Sequence, residues 1–400
     1  MRIAYIAPYQ GPGVLKRRPS LINLGLAANV KMELVAELLH KQSHEIEILS
    51  QGEVVERQLH FYPGFSESEP FHPEIPVDYA SALPVRFMNG LWSAFRILRL
   101  FTQRHRTRPY DAVIIYNLKV PQMVAALYAT RRLGLPVVLE YEDDALVDIR
   151  GKKESGYKAA LYSRLATAIL NSVSGAIGAS PYLLSLMPST VPKVLLRGVI
   201  TNEILTRQPA KSRKQWVVFS GTFSQAKGLE QLIHAWDMVN IPGWELHIAG
   251  HGEKADVLKK MAAHDRSIVF HGLLNRAENA EFLRTATIGI NPHDVSATPG
   301  NVFAFKIIEY LAAGTHVITT RMGPLESGLE QGVTYMPDNS PATIAATIRR
   351  AIQEQQYMRT ASEAAEQMYG PEAVGKALNA LVQQVRTAPP SSLAPLRAAS

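Results

Sequence analysis

The chain has 400 residues, 46% of them hydrophobic, which is enough for two or three domains that each bury a core. It contains no cysteine, so disulfides, thiolate metal sites and a thiol nucleophile are excluded, and a reducing compartment suits the composition. The formal net charge of +7 belongs to the first half: residues 1–200 hold 23 Lys and Arg against 17 Asp and Glu, and residues 201–400 hold 19 against 18.

Met1–Pro8 has too short an apolar run for a signal peptide and reads as a first buried strand, Ile3–Ile6. Further strands are predicted at Glu45–Leu49, Ala112–Tyr116, Val137–Glu140 and Gly175–Gly178. Gly11-Pro-Gly13 follows the first strand but matches neither a Walker loop nor a dinucleotide fingerprint. Between Arg86 and Arg108, six arginines and no acid are interleaved with Trp92, Phe95 and Phe101. Leu91, Phe95 and Leu98 repeat there at helical spacing, and two readings stay open: a basic helix resting on an anionic membrane, or a surface helix whose apolar stripe is core. No nucleic-acid motif accompanies the charge, so nucleic acid is not expected as a partner. Leu139–Asp144 concentrates four acids directly after a strand. A carboxylate there can orient or deprotonate a hydroxyl, Asp143 and Asp144 can hold a metal, and a solvated acidic turn is the plain alternative.

The apolar pattern is interrupted between Leu196 and Gln215, which divides the chain into a first domain at 1–196, a linker at 197–214 and a second domain at 215–370. Strands of the second domain are predicted at Trp216–Phe219, Glu245–Ile248, Ile268–Phe270, Ile288–Ile290 and Val317–Thr319. Both halves therefore read as parallel sheets covered by helices, an α/β architecture used twice without a sequence repeat. In Asn301–Thr320, Ile307, Ile308 and Leu311 fall at helical spacing, Gly314 ends the helix, and a buried strand follows. Lys306 and Glu309 sit three apart near the start of that helix, where free amides and the macrodipole favour an anion. None of the 12 histidines has a metal spacing, no serine nucleophile elbow occurs, and no apolar run is long enough to cross a bilayer. His251 and His293 follow strand ends, where each either lines a cleft or is a satisfied surface group. Residues 387–400, with Pro389, Pro390 and Pro395 among small residues, are expected to be a disordered tail.

The Asn301–Thr320 segment, with Phe219–Ile233, Leu246–Glu253, Ile268–Gly272 and Ala286–Pro292 in that order and spacing, resembles the donor half of the group 1 (family 4) retaining glycosyltransferases. The resemblance is firm over residues 215–335 and loose over the first half. It implies the GT-B fold: two Rossmann-like, doubly wound domains facing across a cleft, with a helix at 371–386 packing back on the first. It also implies a hexosyltransferase that needs no metal or other cofactor and moves a hexose from a nucleoside diphosphate sugar to a hydroxyl acceptor, a glycan or lipid-linked glycan. The expected setting is assembly of cell-surface polysaccharide or glycolipid in the cytoplasm, with peripheral contact on the anionic inner face of the membrane. A nucleotide-sugar epimerase and a non-catalytic nucleotide-sugar-binding protein are the alternatives on the same architecture.

Carried onto this chain, the resemblance implies that Lys227 and Lys306 meet the diphosphate, with Gly221 allowing close backbone approach. Gly250 shapes the neighbouring wall, Gly272 and Leu273 meet the base, Phe303 lines the donor site and Glu309 holds the ribose hydroxyls. Gly13 and Asn117 fall on the acceptor side, and Glu142 and Asp143 stand where relatives often carry a His-Asp pair. The chain departs from the family twice. Thr222 replaces an arginine common in relatives, and Asn301 replaces the first carboxylate of a Glu-x7-Glu pattern while still able to bond a sugar hydroxyl.

Overall fold

The computed structural model describes residues 1–18, 26–52, 60–83, 89–143, 157–201, 203–204, 213–296, 303–354 and 359–387. The chain forms two compact units, Met1–Arg197 together with the chain from Val374, and Gly198–Ala373. In the first, β1 (Arg2–Ile6), β2 (Glu45–Ser50), β3 (Phe65–Glu67), β4 (Val77–Tyr79), β5 (Ala112–Tyr116), β6 (Val137–Tyr141), β7 (Gly175–Gly178) and β8 (Lys193–Leu195) form one sheet. Its order is β3-β4-β2-β1-β5-β6-β7-β8, with β3 antiparallel and the other pairs parallel. The second unit holds β9 (Lys214–Ser220), β10 (Glu245–Ala249), β11 (Ile268–Gly272), β12 (Ala286–Asn291), β13 (His316–Thr320) and β14 (Val333–Met336). They pair in parallel in the order β11-β10-β9-β12-β13-β14.

Continuous apolar runs become strands here because both faces of each sheet are covered. On β9, Val217 and Phe219 join one core with Leu246, Ile248, Ile288 and Ile290, completed by the helices Leu229–Val239 and Pro341–Glu354. Val218, between them in sequence, faces the opposite core with Ile307, Ile308 and Tyr310. Each buried Val, Ile or Phe contributes about 1.5–3 kcal/mol relative to exposure. The helix Pro371–Thr387 packs within the first unit: Leu381 and Val385 lie over Gly175 of β7, and His44 Nε2 meets Asn379 Oδ1 at 2.8 Å. Residues 388–400, the remainder of the expected tail, lie outside the described residues.

In each sheet the strand order reverses beside its first strand, between β1 and β5 and between β9 and β12. Ligand sites of such sheets collect at the carboxyl ends of the strands flanking that point. The ten strands read from the sequence are all present, with ends moved by at most two residues. The strands not anticipated, β3, β4, β8 and β14, are three or four residues long and carry little periodicity. Of the two readings left open for the Leu91, Phe95 and Leu98 stripe, the core one fails at two positions: the helix Asn89–Thr107 buries Ala94, Ile97 and Phe101, leaving Leu91 and Phe95 exposed and Leu98 half-buried.

Candidate active site

In the second unit the loops following β9, β10 and β11 are stitched together by their backbones. Gly221 N–H donates to Ala249 O at 3.0 Å, Gly250 N–H to Gly272 O at 2.7 Å, and Phe223 N–H to His251 O at 3.0 Å. This crossing leaves no room for side chains at two positions. Gly221 has φ +150° and Gly250 φ +134°; a Cβ on Gly250 would come within 1.8 Å of Gly221 O, and one on Gly221 within 2.5 Å of Lys306 Nζ. Thr222 is exposed, and Gly272 turns at φ +69° before the exposed Leu273.

Lys306 opens the helix Lys306–Ala312, and its Nζ reaches the loop at Gly221, lying 3.7 Å from the centroid of the Phe219 ring. That Nζ is shielded from solvent and has no hydrogen-bond partner among the described residues. Burial and then the charge on Lys227 lower its pKa to about 7, against the opposing pull of Glu309. Lys227 ends a single tight turn, Gln225–Lys227, which Asp294 N–H pins by donating to Ala226 O at 2.9 Å; burial alone lowers its pKa. His293, just beyond β12, is buried and pushed down to about 4 by desolvation and then by Lys227 and Lys306, so its imidazole is neutral at pH 7. Desolvation raises the pKa of Glu309 one turn along the helix, against the pull of Lys306. Phe303 packs, half-buried, on the core beneath the same helix. Asn301 lies outside the described residues.

Two ammonium groups and a neutral imidazole thus converge at the point where the sheet order reverses. Such an arrangement can bind an anion, and a diphosphate suits it: the desolvation already imposed on Lys306 makes a bound charge worth more than it would be in water. Tyr310 was not singled out by sequence. Its hydroxyl accepts the Ser220 N–H at 2.9 Å and its ring crosses Gly289, holding the end of β9 against the helix. Its only sequence signal is an aromatic residue beside Glu309.

In the first unit, the acids at the end of β6 and just beyond it differ in environment. Glu140 is fully buried and accepts a hydrogen bond from the Tyr5 hydroxyl, and desolvation raises its pKa to about 8. Glu142 pairs with Lys31 at 2.6 Å, and Lys31 also donates to Leu196 O at 2.7 Å. Burial raises the Glu142 pKa and Lys31 opposes it. Asp143 is exposed. The reading of this turn as wholly solvated therefore fails for Glu140 and Glu142. Asn117, in the left-handed region at φ +57°, accepts from the amides of Glu142 at 2.7 Å and Asp143 at 3.3 Å, so its side chain shapes this turn. Gly13, read as lying on the acceptor side, donates its amide to Glu67 Oε1 at 2.9 Å. That carboxylate comes from β3, a strand the sequence did not reveal, and it occupies the amide in this structure. Asp144 lies outside the described residues, and among the described residues no three His, Cys, Asp or Glu side chains group as a metal site needs.

The model of the family described as glycosyl transferases group 1 matches residues 201–368, and that of the glycosyl transferase 4-like domain matches residues 27–190. No curated protein sequence matches the chain. Among solved structures, sucrose-phosphate synthase from Thermosynechococcus elongatus is similar at TM-score 0.67 and 16% identity, over 96% of this chain and 99% of that one. Anabaena HepE in complex with UDP is similar at TM-score 0.66 and 15% identity, over 96% and 100%; HepE has also been solved with UDP-glucose. The lipopolysaccharide outer core galactosyltransferase WaaB is similar at TM-score 0.61 and 13% identity, over 96% and 99%. At such identities the likeness shows the fold, two parallel-sheet α/β domains of GT-B type. With one family match in each half, the chain belongs to the group 1 glycosyltransferases and is itself a glycosyltransferase.

Proposed function

We propose that this chain is a retaining hexosyltransferase that takes its sugar from a nucleoside diphosphate donor and gives it to a hydroxyl of a glycan or lipid-linked glycan. The observation that carries this reading is the shielded Lys306 ammonium beside Gly221, without a hydrogen-bond partner among the described residues and grouped with Lys227. The UDP and UDP-glucose complexes of HepE support a nucleotide-sugar donor.

In this reading the bond from the anomeric carbon to the diphosphate oxygen breaks while the acceptor oxygen bonds that carbon on the same face. The acceptor proton passes to the departing diphosphate. Lys227 and Lys306 neutralise the charge developing on the leaving group, work that a divalent cation would otherwise do. Lys306 also supplies the charge that Thr222 lacks. Glu309 accepts hydrogen bonds from the ribose hydroxyls, Gly272 and Leu273 border the base, and Asn301 positions the sugar. Asp143, held in place by Asn117, meets the acceptor hydroxyl; Glu142, tied to Lys31, orients that turn. Absence of cysteine suits work in the cytoplasm, on precursors of cell-surface polysaccharide or glycolipid.

Calorimetric titration of UDP-, GDP-, ADP- and dTDP-sugars, with and without magnesium, tests the donor half of this reading. One tight binder that is indifferent to magnesium and lost in Glu309→Ala supports it; failure of every donor to bind sinks it. Proton NMR of the product formed from an α-configured donor then reads retention directly.

A further inference from the structure

The helix Asn89–Thr107 presents an unusual outer face. Its core side is satisfied by Ala94, Ile97 and Phe101, yet Leu91 is 70% and Phe95 55% exposed, and Phe61 beside them is 54% exposed. Phe61 meets Trp92 edge to face at 6.4 Å between centroids, and Leu91 and Phe95, one turn apart on the same helix as Trp92, add exposed apolar surface to that face. The flank of this patch is cationic. Arg96 lies over the Trp92 ring at 5.9 Å, and Arg99 follows Phe95 by one turn. Arg96, Arg99 and Arg104 also line a cavity of about 190 Å³ floored by Ser66, Asp78 and Ser81. Arg104 is spent on Asp78, which it meets at 2.5 Å, whereas the Arg96 Nε is buried without a hydrogen-bond partner among the described residues.

We propose that this face docks on a membrane surface containing anionic phospholipid, with Leu91, Phe95 and Phe61 entering the acyl boundary and Arg96 and Arg99 receiving headgroup phosphates. Charge complementarity selects this occupant. The described helix carries arginines and no acid, so a second copy docking through the same face would set arginines against arginines. Neutral apolar partners would leave the arginine flank unpaired. The surface lies wholly in the first unit and goes beyond the donor chemistry, which resides in the second.

Sedimentation of the full chain with phosphatidylcholine vesicles, with and without phosphatidylglycerol, tests the proposal. Binding is expected only to vesicles containing phosphatidylglycerol, weakening as salt is raised. The double variant Arg96→Gln/Arg99→Gln should reduce the partition coefficient about tenfold. The double variant Leu91→Glu/Phe95→Glu should reduce it at least as far. Equal binding to neutral vesicles, variants that bind like the parent chain, or concentration-dependent dimers abolished by the same variants would each overturn the proposal. Donor calorimetry on the same preparations keeps this outcome separate from the donor reading, since a folded variant retains the second-unit site.

Discussion

The Lys306 ammonium rests 3.7 Å from the centre of the Phe219 ring, so the last aromatic of β9 forms a floor beneath a cation borne on another element. Such a contact is worth about 0.5–2 kcal/mol, and it holds the ammonium beside Gly221 without neutralising it. A charge kept desolvated and without a hydrogen bond is a standing cost to the fold that an arriving anion removes.

Replacing Lys306 by Met should separate stability from function. Removal of a buried charge and retention of most of its volume should leave the protein equally stable or about 1–2 kcal/mol more stable in urea. Donor affinity should fall by about 1.5–3 kcal/mol, the worth of a charge-assisted hydrogen bond. Denaturation and calorimetry on one preparation check both; a destabilised variant with normal affinity would remove Lys306 from the site.

The same lysine should make donor binding depend on pH. Its pKa in the free protein is lowered to about 7, so it loses its proton as pH rises through 7, whereas a bound diphosphate raises the pKa and retains the proton. Affinity should therefore be full below pH 7 and fall by up to about tenfold per unit above it. Without donor, the unfolded chain takes up this proton at a higher pH than the folded one, so the lysine's contribution to stability declines as pH falls from about 10 toward 7. Calorimetry in two buffers of different ionisation enthalpy should show proton uptake on binding above pH 7.

Glu309→Ala should abolish discrimination between ribose and 2′-deoxyribose donors. A carboxylate accepting from ribose hydroxyls is worth about 1.5–3 kcal/mol, so the parent chain should prefer the ribose donor by roughly tenfold or more. A preference that survives in the variant would show the sugar hydroxyls to be held elsewhere.

Gly221→Ala should damage both fold and site. The added Cβ meets Lys306 Nζ at 2.5 Å in a backbone conformation that favours glycine. A cost of about 1–3 kcal/mol is expected, read as a lowered melting temperature together with weakened donor binding. Ala at Gly134, which ends a surface helix in open space, carries only the left-handed backbone cost and serves as the control for the melt.

The two acids after β6 should behave differently. Glu142→Gln strips Lys31 of its charged partner at 2.6 Å and should cost about 2–4 kcal/mol of stability. Asp143→Asn, at an exposed position, should be near neutral in the melt but lower kcat with little change in donor affinity. If both variants kept full turnover, the acceptor would be contacted elsewhere.

Ten of the fourteen strands among the described residues and the helix bearing Lys306 and Glu309 were legible because apolar runs buried on both faces leave a strong local pattern. The family was legible because its donor motifs lie within short windows whose order is part of the signal. The short edge strands carried no such pattern, and with β3 unseen there was no means of knowing that Glu67 takes the Gly13 amide.

By itself, then, the sequence determined two parallel α/β sheets and an ordered motif series like that of the group 1 glycosyltransferases, with Lys227, Lys306 and Glu309 in it, all properties of local spacing. Tertiary structure decided how those groups are charged and spent. Lys306 depends on a ring 87 residues away, and His293 is made neutral by burial and then by two lysines from other segments. Glu142 is claimed by Lys31, and the helix Asn89–Thr107 buries Ile97 and Phe101 while Phe95 faces outward. Desolvation and Coulomb energies depend on distances through space, which sequence spacing does not encode, and a helix with apolar residues around much of its circumference acquires an inside only when the sheet it packs against has formed.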